Sequence, residues 1–97
     1  MSAEDGDRSV RVVVQGRVQG VGYRAWCART AHSLGLCGWV RNCRDGSVEA
    51  VVAGPGAGVG TFLALARTGP RAAAVTAVEA TDCPAPAEDG FFVRETL

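Results

Sequence analysis

An arginine that follows two glycines and an asparagine that closes a short apolar run are the residues of this chain best suited to chemistry. In Gly16-Arg17-Val18-Gln19-Gly20-Val21-Gly22-Tyr23-Arg24 the glycines fall where a valine-rich run gives way to helical spacing. A strand-to-helix junction of this kind binds anions. Its backbone N–H groups point outward, the helix dipole favours negative charge, and glycine lets a ligand approach the main chain closely. Arg24, in the first helical turn, adds a planar positive fork that matches phosphate.

The elements that position these residues follow from periodicity. From Ser9 to Gln15, Val10, Val12 and Val14 share one face while Arg11, Val13 and Gln15 share the other, the period of a half-buried strand. Tyr23, Trp26, Cys27, Thr30, Ala31 and Leu34 then recur at helical steps, and Gly35 stops the helix, so helix one covers 23 to 34. Strand two spans Leu36 to Asn42, and Cys43-Arg44-Asp45-Gly46 supplies the hairpin turn into strand three, Ser47 to Ala53. Gly54, Gly56, Gly58 and Gly60 read as a mobile connection into a second helix, Thr61 to Thr68, with Val59, Phe62, Leu63 and Ala66 on its apolar side and Gly69-Pro70 as its stop. Ala74 to Asp82 is strand four, and Phe91 to Glu95 is a short last strand.

This order is the ferredoxin-like βαββαβ sandwich, with four antiparallel strands and two helices on one face. Residues 1 to 8 read as a flexible N-terminal segment and 9 to 97 as one domain. Because a crossover returns the chain to the same end of the sheet, the glycine loop and the end of strand two must share that end. The polar residue there is Asn42, whose parity with Leu36 and Val40 turns it toward the helices and the loop, while Trp39 and Arg41 face away. As a bland alternative, an asparagine in this position opens the hairpin turn.

Two nucleotide-binding readings fail on context. Gly20-Val-Gly22-Tyr-Arg-Ala25 fits the dinucleotide pattern, but 97 residues cannot carry a doubly wound sheet and position 40, where an acidic ribose ligand belongs, is valine. No Lys-Ser or Lys-Thr follows the glycines, which removes the nucleoside-triphosphate loop. His32 reads as a surface helix residue, Asp45 and Glu49 as turn and strand-surface residues, and Trp26 and Trp39 as packing residues.

Composition narrows the partners. With 47% apolar and 21% charged residues the chain is an ordinary globular domain, and its zero formal net charge argues against nucleic acid. The acidic start, Met1-Ser-Ala-Glu-Asp-Gly-Asp7, is no signal peptide, and no apolar run approaches the roughly 20 residues that span a bilayer. A cytoplasmic monomer is expected. Cys27, Cys37, Cys43 and Cys83 lack zinc-type spacing and read as free thiols.

Gly16 to Arg24, followed by Gly38-Trp-Val-Arg-Asn42 and Asp45-Gly-Ser-Val-Glu49, resembles the acylphosphatase family, and the likeness extends over about residues 9 to 95, including Gly69-Pro70 and Phe91-Phe-Val-Arg94. The resemblance implies a small cytosolic enzyme that hydrolyses acyl phosphates to carboxylate and inorganic phosphate without metal or cofactor. In that reading Arg24 binds the phosphate, the main chain of Arg17, Val18, Gln19, Gly20, Val21 and Gly22 cradles it, and Asn42 positions the water. Cys43 stands where the family frequently has threonine, a change that touches neither Arg24 nor Asn42. The alternative is a non-catalytic acyl-phosphate or carbamoyl-phosphate binding module. The initiator methionine and the finished last strand favour a free-standing enzyme. A nucleic-acid module would carry aromatics on strand three, which has none, and a metal chaperone would need a cysteine pair in the first loop.

Overall fold

A computed structural model describes residues 6–96. Its elements run β1 (Asp7–Arg17), α1 (Tyr23–Ser33), β2 (Cys37–Asn42), β3 (Val48–Pro55), α2 (Gly56–Ala66), β4 (Ala74–Asp82) and β5 (Phe91–Val93). The first four strands pair antiparallel as expected, in the order β4-β1-β3-β2. The valine alternation of β1 puts Val10, Val12 and Val14 in the core opposite Val52, Ala50 and Val48. Both helices cover that face through Tyr23, Cys27, Ala31, Val59, Phe62 and Ala66. Each fully buried valine or phenylalanine contributes roughly 1.5–3 kcal/mol of transfer free energy, so β1, central and apolar on its inner face, anchors the sandwich.

Three expectations need correction. The sheet has five strands, not four, because β5 adds to the free edge of β2 in parallel. Gly38 donates to the Gly90 carbonyl and Arg94 donates to the Val40 carbonyl, which brackets the strand, while Phe91 seals the core beneath it. Secondly, β1 begins at Asp7, so the last residues of the expected flexible segment 1 to 8 belong to the sheet; its first five residues lie outside those described. Thirdly, the glycine-rich stretch is not a mobile loop. Helix α2 starts at Gly56, behind Pro55, and a Cβ on Gly58 would press on Leu36 Cδ2 at 3.2 Å and the Leu34 carbonyl at 3.3 Å. Small residues are needed there for the helix to lie close to the α1–β2 turn, and this packing overrides the poor helix propensity of glycine.

Gly38 shows the same demand more sharply. Its φ is 136°, and a Cβ would fall 1.8 Å from the Val51 carbonyl oxygen, so β2 and β3 approach at a distance no side chain tolerates.

The outer face of the sheet holds an ion-pair cluster that sequence parity alone had placed on the surface. Glu49 is only 6% exposed, lying between Arg11 and Arg41. Burial pushes its carboxyl upward, but hydrogen bonds and charge from the two arginines outweigh this and hold it below its ordinary range. A carboxylate lowered on folding stabilises the native state above its unfolded-chain value of 4.5 and loses that contribution as pH falls through the lower folded value. Glu49→Gln should therefore lower the urea midpoint near pH 7, and its deficit against wild type should shrink toward pH 3. Parallel curves over that range would show that the pair carries no pH-linked stability.

Trp39 stands on this face between two guanidinium groups, Arg41 at 4.7 Å and Arg94 at 5.3 Å from its ring centroid. Trp26 packs against Tyr23 and Phe62. Among the described residues no helix is long and apolar enough to cross a membrane.

Candidate active site

Strand directions gather the site. β1, β2 and β5 run the same way, since β3 opposes β1 and β2 opposes β3, with β5 parallel to β2. Their carboxyl ends therefore meet at one end of the sheet, where the loop from β1 enters α1. Val18 is buried and fixes the start of this loop. Gly20 and Gly22 follow with φ of 74° and 81°. A Cβ on either would meet nothing within 4 Å, so the left-handed backbone, not crowding, selects glycine here.

Gly22 caps α1 without a side-chain hydrogen bond, and its carbonyl accepts from Trp26 N–H at 3.0 Å. The first-turn N–H groups thus have no side-chain cap, and no acidic residue in that turn offsets the positive helix end. The N-terminal end of α1 is therefore positive and uncapped by side chains.

Beside this end lies a pocket of about 280 Å³. Gly20, Gly22 and Val18 form one wall, Tyr23, Arg24 and Ala25 of the first helical turn another, and Asn42 and Val93 the side facing the strands. Arg24 and Asn42, some eighteen positions apart in sequence, line the same cavity. Arg24 Nη1 donates to the Arg94 carbonyl at 3.2 Å, which uses one of the five guanidinium N–H bonds.

Of the main-chain candidates, Val18, Gly20 and Gly22 line the pocket, whereas Arg17, Gln19 and Val21 are not among the lining residues. Arg17 ends β1 in register with Ala74, and Gly16 belongs to the same ladder, where a Cβ would fall 2.3 Å from the Ala74 carbonyl oxygen. The first glycine of the motif thus serves a close strand approach. The Gln19 side chain turns away into the β2–β3 hairpin and donates to the carbonyls of Cys43 at 2.7 Å and Ser47 at 2.8 Å.

Val93, Tyr23 and Ala25 were not anticipated as pocket residues. Val93 becomes one because β5 pairs in parallel with the edge of β2 and places it in register with Val40, and nothing in a three-residue strand announces its partner. Tyr23 is buried; its hydroxyl donates to the Ala66 carbonyl at 2.7 Å and ties the start of α1 to the end of α2. Burial, with a smaller contribution from the neighbouring Cys27, pushes its phenol far up, so it stays protonated. Cys27 is likewise pushed up by burial, to about 12, and is an inert core thiol. Among the described residues no three His, Cys, Asp or Glu side chains gather in one place.

The fold and pocket together define a small α+β protein whose pocket, at the carboxyl ends of β1 and β2, is lined by two left-handed glycines, an arginine and an asparagine. Comparison with known proteins is specific. The acylphosphatase family model matches residues 10–93. An acylphosphatase of Azorhizobium caulinodans is 50% identical over 90 residues, covering 92% of this chain and 97% of the relative. Among solved structures, an acylphosphatase from Coxiella burnetii superposes with a TM-score of 0.88 at 33% identity, covering 97% of this chain and all of the other. An acylphosphatase from Bacillus subtilis gives 0.84 at 32% identity, with 89% and 97% of the two chains covered. The chain belongs to the acylphosphatase family. It is a hydrolase acting on an acid anhydride, the mixed carboxyl–phosphate anhydride of acyl phosphates.

Proposed function

We propose that the phosphoryl group of the substrate sits in the pocket between Gly20, Gly22 and Arg24, and that Asn42 orients the attacking water. The observation that carries this reading is the shared cavity: the one arginine and the one asparagine that the sequence singles out line it together with both left-handed glycines. Main-chain N–H groups at Val18, Gly20 and Gly22, the loop residues that line the pocket, and in the first turn of α1 bind phosphate oxygens, and the Arg24 guanidinium pairs with two of them.

An acyl phosphate is already activated, so the enzyme has to hold it, position water and meet charge on the transferring group. Water attacks phosphorus, the P–O bond to the acyl group breaks, and its electron pair leaves on the carboxylate. The asparagine amide is too weakly basic to take the water proton, which passes to a phosphate oxygen of the substrate. Arg24 and the loop supply the positive field that a metal supplies in other phosphoryl-transfer sites, so this chemistry is metal-independent.

The protein acts in this reading as a cytoplasmic monomer on a small acyl phosphate, releasing inorganic phosphate, with no nucleic-acid or membrane partner. Neutral net charge supports the absence of a phosphate-backbone partner. The deciding experiment follows hydrolysis of benzoyl phosphate and carbamoyl phosphate with and without a chelator. Turnover unaffected by chelator is expected. Turnover abolished by chelator would overturn metal independence, and none on either compound would favour a binding module.

A further inference from the structure

The hydrogen bonds of Gln19 link the two halves of the site through a contact neither half requires. Its side-chain amide has two N–H donors, and each reaches a different carbonyl of the β2–β3 turn, Cys43 at 2.7 Å and Ser47 at 2.8 Å. Both acceptors are main-chain carbonyls, so the NH2 end of the amide must face them. The turn is itself rigid: Cys43 N–H donates to the Ser47 carbonyl at 2.9 Å, Gly46 N–H to the Cys43 carbonyl at 3.1 Å, and Asp45 accepts from Ser47 N–H and Oγ at 2.9 and 2.6 Å. Cys43 directly follows Asn42, and Gln19 directly precedes Gly20. One side chain therefore fixes the glycine loop against the residue next to the proposed water-orienting group.

We propose that Gln19 is a positioning residue for catalysis, setting the distance and angle between the phosphate cradle and Asn42. This inference rests on the reading of Asn42 given above. Each half of the site holds its own shape without the clamp. The cradle is set by Gly20, Gly22 and the helix end, and the turn by its own hydrogen bonds. Losing the clamp frees the two halves relative to one another. A shift of about 1 Å in such an arrangement costs on the order of 10²-fold in rate.

The test is a double-mutant cycle of Gln19→Met and Asn42→Ala, reading kcat on benzoyl phosphate, competitive inhibition by inorganic phosphate, and the urea midpoint. Gln19→Met should lower kcat about 10- to 100-fold while phosphate inhibition stays within about threefold, and it should cost little further in the Asn42→Ala background. Equal loss of kcat in both backgrounds, loss of phosphate inhibition in parallel with kcat, or a chain that no longer folds would each overturn the proposal. If Asn42→Ala alone leaves kcat unchanged, the reading of Asn42 fails; if Asn42 matters but the effects multiply, the clamp alone fails.

Gln19→Glu gives an independent arm. Its ionised carboxylate faces two carbonyl oxygens and cannot donate, whereas the protonated form donates to one. The kcat of this variant relative to wild type should rise as pH falls below about 5. A ratio flat with pH would count against the clamp.

Discussion

Arg24→Gln is expected to lower kcat/KM on benzoyl phosphate by about 10³-fold or more and to remove inhibition by inorganic phosphate. The magnitude follows from its place. Arg24 is the guanidinium that lines the pocket, and it sits at a helix end already free of acidic residues. Glutamine keeps a donor, but it loses the charge and the planar fork that in the proposed mechanism meets two phosphate oxygens together. The substitution should leave the urea midpoint nearly unchanged, because the Arg24 bond to the Arg94 carbonyl is solvent-exposed. Steady-state kinetics, phosphate inhibition and urea unfolding on one preparation separate these effects. A large loss of stability would assign the lost activity to folding instead.

Asn42→Ala divides the site differently. It is expected to cut kcat by about 10²- to 10³-fold while leaving inhibition by phosphate largely intact, since in the proposed mechanism the asparagine acts on the nucleophile and not on the bound anion. Alanine keeps the β2 register with Val48 and leaves the main-chain bonds of the Cys43–Ser47 turn in place. If Asn42→Ala weakened phosphate binding as far as Arg24→Gln while sparing kcat, the roles given to the two residues would have to be exchanged. Retained turnover with retained binding would mean that the water is oriented by another group in the pocket.

The legible parts of this protein are those where local pattern and tertiary demand agree. Alternating valines place β1, and two glycines before an arginine mark its turn into α1. The parity of Asn42 with Val40 correctly brings it to the pocket from sequence alone. Where local pattern and packing disagree, the sequence misleads. Four glycines between 54 and 60 have the propensity of a loop, yet close packing against the α1–β2 turn makes most of that stretch helical. Glu49 alternates like a surface residue, but the face it points to is covered by its own arginine partners. Val93 and the Gln19 side chain escaped notice for a third reason: each acts through a neighbour that lies far off in sequence, and a three-residue strand or a loop amide carries no mark of its partner.

The late position of β5 fixes when the pocket can exist. Gly20, Gly22, Arg24 and Asn42 all lie in the first half of the chain, but Val93, which completes the wall, and the carbonyl of Arg94, which holds Arg24, come at the far end. In chain order the glycine loop, Arg24 and Asn42 all precede the strand that borders them, with β3, α2 and β4 in between. A chain stopped before Phe91 would carry Arg24 and Asn42 without Val93 on the pocket wall and without the Arg94 carbonyl that accepts from Arg24, so the pocket is assembled only when β5 docks on β2.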